Sequence, residues 1–458
     1  MHRFLVARVA AFAALALTFA GCSTPLRQAQ GDAYLPYMQS DVNLRALNAS
    51  GAGKIKHIVY IVQENRSFDN MFQGYPGADT VAYGKNSKGQ EIKLTPYPLG
   101  HAYVIDHSAQ SMFAACNGTG KLPGTACRMD GFDKEPGYGG PPNREYVYVP
   151  HSESKPYFDM AHEGVLADRM FQSQLDESFV AHQYIIAAQA AWSVNLPDGA
   201  WGCEGQRYDE VTTITASRNP DGPSIPPCYN YQTLGDELDK AHLSWRFYAS
   251  RYGSKSSDAG SPWSGYQAVK HIYDGPDWKK VISPNWRFIN DVRAGKLANF
   301  TWITPVCDDS DHVNCPGAYG PSWVAALVNT VGESNFWDST AIFIQWDDWG
   351  GLYDHVPPPP PYYRDSLGFR VPLIILSPYA KHDHVSHVQY ETTSVLRFAE
   401  DLFGLSQLAA ADKRATSPAA DCFDFSQSPR PFVKIEAPYP PKFFTHQLPD
   451  DYFAPDYE

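Results

Sequence analysis

The chain has 458 residues, of which 43% are hydrophobic and 14% aromatic, so it carries material for a large core and is not a low-complexity or disordered protein. Its 50 acidic against 37 basic residues give a net charge of −13, without the basic stripe that a nucleic-acid binder uses to neutralise phosphates. The 37 prolines and 28 tyrosines point to long connections between elements rather than to a helical bundle.

In chain order, residues 1–21 open with Arg3 and Arg8, continue with an apolar run from Val9 to Ala20 and close on Gly21, the pattern of an export signal. The box Thr18-Phe19-Ala20-Gly21-Cys22 resembles a bacterial lipoprotein cleavage site, with Phe19 where Leu is usual. It predicts a lipid on Cys22 and an outer-membrane lipoprotein of the cell envelope. The alternative is cleavage nearby, which leaves a periplasmic or secreted protein. No later run reaches the roughly 18 uninterrupted apolar residues of a membrane helix. Residues 22–53 are polar and rich in Ala and Gly and read as a tether, and 54–458 as one domain.

His57 to Val62 is a short apolar run rich in β-branched residues, the signature of a buried strand. Similar runs recur at 244–248, 299–303, 340–346 and 371–376, and helices are predicted over 179–191, 234–242, 322–331 and 392–403. Strands alternating with helices predict an α/β fold, a mostly parallel sheet covered on both faces by helices. Ligand sites in such folds gather beyond the carboxyl ends of the strands. Residues 84–156 and 193–230 are rich in Gly, Pro and Asn and show no period. They are expected to be long insertions that form a cap over the site. Short spacings suggest the disulfides Cys116–Cys127, Cys203–Cys228 and Cys307–Cys315, leaving Cys422 free; no CxxC pair suggests a zinc-thiolate centre.

The chemistry is expected at strand ends. Directly after the first strand stand Glu64 and Asn65, and directly after the strand at 340–346 stand Asp347 and Asp348, flanked by tryptophans and followed by Gly350-Gly351. A carboxylate with an amide oxygen, joined by two adjacent carboxylates, is a donor set for a hard divalent cation. The competing readings are a helix-capping turn at 64–69 and a solvated acidic turn at 347–348. Ser178 opens the predicted helix that follows it and, on the residues alone, reads as a helix N-cap.

The runs HIVYIVQENRSFDNMF, DDWGGLYDHVPPP and RVPLIILSPYAKHDHVSH resemble the bacterial phosphoesterase family of phospholipases C and secreted acid phosphatases. Weaker matches are the DH at 106–107, MDGF at 129–132, SFVAHQYIIA at 178–187 and SDH at 310–312, and the resemblance spans Lys54 to Phe425. It implies an alkaline phosphatase-like fold and a phosphoric ester hydrolase. It also implies Glu64, Asn65, Asp347 and Asp348 as ligands of one divalent metal (Ca, Mg, Mn or Zn) and Ser178 as the nucleophile of a phosphoseryl intermediate. His107, His312 and His355 match the family's phosphate-contacting histidines, with His182 and His151 ranked behind them. The alternatives are a phospholipase C acting on phospholipid head groups, towards which Ser178 in place of the common Thr counts against, and a non-catalytic surface lipoprotein that binds phosphorylated ligands.

Overall fold

The computed structural model describes residues 52–205, 208–250 and 263–447; the export signal, Cys22 and residues 23–51 of the tether lie outside the described residues. Eight strands form the central sheet: β1 (His57–Gln63), β2 (Val165–Ala167), β3 (Trp245–Tyr248), β4 (Val281–Ile282), β5 (Phe300–Ile303), β6 (Thr340–Trp346), β7 (Leu373–Leu376) and β8 (His384–Ser386). Their spatial order is β4-β3-β5-β1-β6-β7-β2-β8. All neighbours run parallel except the two pairs that involve β7, which is the single reversed strand of this sheet.

Helices cover both faces, which is why β1 and β6 are apolar along nearly their whole length. Tyr60, Trp302 and Phe343 share one face through the registers Tyr60↔Trp302 and Tyr60↔Phe343. On that face the indole of Trp302 donates to the Ile185 carbonyl in the helix Ser178–Ala187, and Phe343 packs on Phe398 in the helix Ser394–Phe403. The alternate residues point the other way. There Trp346 meets Tyr157 of the helix His151–Glu163, and Tyr248 meets Phe288 of the helix Arg287–Arg293.

The parallel register matters most at the carboxyl ends. β1 and β6 pair from His57↔Thr340 to Gln63↔Trp346. The first residues beyond both strands are therefore Glu64-Asn65 and Asp347-Asp348, side by side.

Three expectations are refined and a fourth is met. The strand expected over 371–376 begins at Leu373 and runs antiparallel to β6, because residues 347–372 contain no helix that could carry a crossover. The helix expected over 179–191 starts at Ser178 and ends at Ala187, where Ala188 adopts a left-handed φ of 55°. The 84–156 insertion is not without structure: it holds the helix Ala109–Cys116 and the first turns of His151–Glu163. The three expected disulfides are present, with Cα–Cα separations of 4.5, 4.7 and 5.4 Å, and Cys422 is a buried free thiol.

Candidate active site

Asn65 leaves β1 in a left-handed conformation, φ 57°, which turns its backbone N–H onto Asp347 Oδ1 at 2.9 Å. The same oxygen accepts the Asp348 N–H at 2.7 Å, and the Asp347 N–H returns to the Gln63 carbonyl at 2.9 Å. Asp348 Oδ1 accepts from the Gly350 N–H at 2.8 Å. Gly350 sits at φ 59°, and a Cβ there would run into the Asn65 carbonyl, so glycine is required for this close approach. Glu64, Asn65, Asp347 and Asp348 are all fully buried. The solvated-turn reading of Asp347 and Asp348 is thereby excluded.

Ser178 is the first residue of its helix and not the cap. Glu177 occupies the cap position without a side-chain cap bond, and Ser178 Oγ instead donates to Asp348 Oδ2 at 3.3 Å. One turn on, His182 places Nε2 3.1 Å from Glu64 Oε1 and 3.7 Å from Asp347 Oδ2. Residues four apart share a helix face, so one helix brings both Ser178 and His182 to the carboxylates. Glu64, His182 and Asp347 each offer a donor atom within 4.8 Å of the others, all buried. His182 was placed in the second rank by sequence; its spacing of four from Ser178 was the available signal. His151, its companion in that rank, lies elsewhere, with Nε2 on the Gln73 carbonyl and its side chain exposed.

His107 is buried between two partners. The Ile105 carbonyl, 3.1 Å from Nδ1, can only accept, so the proton of the neutral ring is on Nδ1 and Nε2 receives the Asn65 amide N–H at 2.8 Å. That fixes the Asn65 amide with Oδ1 turned away from His107. Asn65 Oδ1 and Asp347 Oδ2 are buried and accept no hydrogen bond among the described residues. Two orphaned buried oxygens beside further carboxylates fit a bound cation, since burying such groups uncompensated is costly. His107 Nε2 also lies 3.7 Å from Asp348 Oδ2.

His312 reaches the same place from β5. Gln63, the last residue of β1, clamps the intervening loop by donating Nε2 to the Asp309 carbonyl at 3.0 Å and accepting the Asp311 N–H on Oε1 at 3.1 Å. Tyr157 and Trp346 both donate to Asp311 Oδ2, at 2.7 and 3.0 Å. Burial pushes the Asp311 carboxyl up to about 6 against these hydrogen bonds and Arg66. The His312 ring then stands 6.4 Å from that of His107 and 5.9 Å from that of Trp263.

Of the three first-ranked histidines, His355 is the one with no hydrogen bond or ring contact to this group among the described residues. Its Nδ1 lies 2.6 Å from Asp69 Oδ2 and its Nε2 3.1 Å from Asp79 Oδ1. Beneath it the buried Arg370 pairs with Asp354 at 3.0 Å and Asp69 at 3.4 Å.

Both insertions contribute walls. The Asn195 N–H donates to Asp176 Oδ2 at 2.6 Å, and Asn195 Oδ1 accepts from the Ala109 N–H at 2.9 Å. Burial raises Asp176 to about 7, opposed by the Asn195 N–H and by His107. Trp201 lies edge-on to Phe179 and His182.

The profile of the Phosphoesterase family matches residues 55–406. The chain is 25% identical over 411 residues to non-hemolytic phospholipase C of Pseudomonas aeruginosa, covering 77% of this chain and 54% of that protein. It is 26% identical over 271 residues to phospholipase C B of Mycobacterium tuberculosis, covering 50% and 52%. With non-specific phospholipase C1 of Arabidopsis thaliana it shares 25% over 400 residues, covering 77% and 68%. The chain thus spans about half the length of these two bacterial relatives. A protein of the alkaline phosphatase superfamily from Vibrio parahaemolyticus superposes with a TM-score of 0.36 at 10% identity, covering 84% of this chain and 78% of that one. At that level of likeness the fold class rests on the sheet itself.

Proposed function

The chain belongs to the Phosphoesterase family, and on that premise we propose that it hydrolyses phosphoric esters through a phosphoseryl intermediate on Ser178, with one divalent cation. The observation that carries this reading is the meeting of Ser178 Oγ and Asp348 Oδ2 at 3.3 Å, where β1, β6 and a helix N-terminus converge.

Glu64, Asn65, Asp347 and Asp348 would hold the cation, which when bound supplies Lewis-acid stabilisation of phosphoryl oxygens. An oxygen-rich donor set suits calcium, magnesium or manganese, and His182 beside it extends the choice to zinc. Ser178 Oγ forms the new O–P bond as the ester O–P bond breaks, and its hydroxyl proton is directed at Asp348 Oδ2. The first-turn N–H groups of its helix have no intrahelical acceptors and would hold phosphoryl oxygens. His312, when protonated, donates to a phosphoryl oxygen and protonates the leaving alkoxide, while His107, whose Nε2 receives the Asn65 amide N–H, orients Asn65 Oδ1 toward the cation. Water then cleaves the O–P bond of phosphoserine, releasing phosphate and restoring the hydroxyl. In this reading His355 is an architectural residue.

Three disulfides support an exported protein, because such bonds persist in oxidising compartments. No helix among the described residues is long and apolar enough to cross a membrane, and the box ending at Cys22 supports attachment to the envelope by lipid. Ser178 favours phosphate monoesters, whereas the phospholipase C relatives favour phospholipid head-group esters.

The test compares hydrolysis of nitrophenyl phosphate with that of nitrophenyl phosphorylcholine, before and after chelation and metal return. Ser178→Ala should lower kcat by at least about 10³-fold with either substrate. Turnover of the monoester alone identifies a phosphatase, and turnover mainly of the choline diester identifies a phospholipase C. No metal-dependent turnover of either defeats the proposal and leaves a protein that binds phosphorylated ligands.

A further inference from the structure

A second cluster of metal-ligating side chains lies at the other end of the helix His151–Glu163, apart from the residues above. His162 and Glu163 are its last two residues, and His382 follows β7 in the run Lys381-His382-Asp383-His384. One donor atom from each of His162, Glu163 and His382 lies within 4.8 Å of the others. The two imidazole rings stand 5.2 Å apart, edge to face. Asp383 adds a second carboxylate, with Oδ1 3.0 Å from His162 Nδ1, and His382 Nε2 lies 3.6 Å from Glu163 Oε2.

The backbone beneath is fixed although His162, His382 and Asp383 are exposed and Glu163 is half-buried. The Asp383 N–H donates to the His162 carbonyl at 2.9 Å and the His384 N–H to the Gly164 carbonyl at 3.2 Å. Immediately afterwards β8 pairs with β2 through His384↔Val165. Arg430 ties both segments together by donating to the Glu163 and Ala380 carbonyls at 2.9 and 3.1 Å. The donors therefore sit on rigid elements while their rotamers are free to close.

We propose that His162, Glu163, His382 and Asp383 form a surface zinc site that clips the loop after β7 to the end of this helix. Two imidazoles and two carboxylates are a zinc donor set, and four protein ligands make a closed structural site. Donors on one tetrahedral zinc, with bonds of about 2.0–2.1 Å, lie roughly 3.3 Å apart. Closing that gap calls for rotation of the exposed His162, His382 and Asp383 side chains and of half-buried Glu163. The carbonyl end of the helix, where His162 and Glu163 sit, also favours a cation. The clip would join segments more than two hundred residues apart at the sheet edge that β8 forms.

The experiment measures zinc binding to the chelator-treated full chain by calorimetry and by metal analysis after gel filtration. The wild type is compared with His382→Gln and with the double variant His162→Ala/His382→Ala. The expected result is about one equivalent less zinc in the double variant, roughly 10-fold or more weaker binding at the second site in His382→Gln, and loss of part of the zinc-induced rise in Tm. Circular dichroism and ester turnover at saturating metal should match the wild type, since neither histidine belongs to the catalytic group. Cobalt added to the Asp347→Asn variant should still give the visible bands of a tetrahedral nitrogen and oxygen site, and these should vanish when His382→Gln is added. Equal stoichiometry, affinity and Tm response in wild type and double variant would overturn the proposal. So would a folded Asp347→Asn variant that shows no cobalt bands.

Discussion

At the scale of single residues, the site depends on where backbone conformation sends an otherwise ordinary side chain. Asn65 and Gly350 both adopt positive φ, at 57° and 59°, and these two turns bring the strand ends into contact. Gly350 has no substitute, because a Cβ there would collide with the Asn65 carbonyl while its N–H must still reach Asp348 Oδ1. Gly350→Ala is expected to cost at least about 1–2 kcal/mol of stability from left-handed strain, with the collision against the Asn65 carbonyl added to it. Displacing Asn65 and Asp348 should lower kcat/KM by about 100-fold. Steady-state kinetics beside denaturant unfolding would check both, and unchanged turnover in a folded variant would contradict the geometry. Ser178 illustrates what residue type alone leaves open. A serine before a helix is usually a cap, and only the fold sets its hydroxyl on Asp348 with the cap position held by Glu177.

At the scale of elements, the central sheet converts register into chemistry. Continuous buried runs made β1 and β6 legible, and the residues just past them, Glu64-Asn65 and Asp347-Asp348, could be expected to share one end of the sheet. The reversal of β7 was not legible, because direction depends on the connection, and residues 347–372 show no pattern that announces the missing crossover. β2 and β8, three residues each, lie below the length at which periodicity speaks; pairing with neighbours forms them. Gln63 belongs to this scale, since it ends β1 and holds the β5 loop that carries His312. Gln63→Leu leaves the Asp309 carbonyl and the Asp311 N–H without that partner, at a cost of about 1–3 kcal/mol. It should lower kcat more than it weakens metal binding, because His312 moves while the four proposed ligands stay. Calorimetric metal titration with kinetics separates these effects; loss of metal binding with kcat intact at saturating metal would contradict the assignment.

At the scale of the molecule, distant segments are tied by buried charge. Arg370, Asp354, Asp69 and His355 form a network that also holds Asp79, itself paired with Arg169 at 2.5 Å. Burial disfavours the His355 imidazolium, but the hydrogen bond and charge of Asp69 and the charge of Asp354 outweigh burial and Arg370, so its pKa is raised above 6.5. A raised folded-state value means that the stabilisation is fully present below pH 6.5 and is lost as pH rises through the folded-state pKa. Denaturant unfolding of the wild type should therefore show stability falling above pH 6.5 relative to His355→Gln, and identical slopes for the two would count against the network. Motif resemblance pointed to His355 as a phosphate contact, yet its ring nitrogens face Asp69 and Asp79. Sequence patterns preserve such a network and a substrate contact alike, and only spatial placement separates them. The disulfides, by contrast, were legible from short spacings alone.

Trapping the covalent intermediate tests the role of Ser178 as nucleophile. The full chain, loaded with metal and mixed with nitrophenyl phosphate, would be acid-quenched within a turnover, digested and read by mass spectrometry. One phosphoryl group is expected on the peptide that carries Ser178 and none on that peptide in Ser178→Ala. A phosphoryl group on another residue, or an active Ser178→Ala enzyme that turns over the ester at the wild-type rate, would contradict that role.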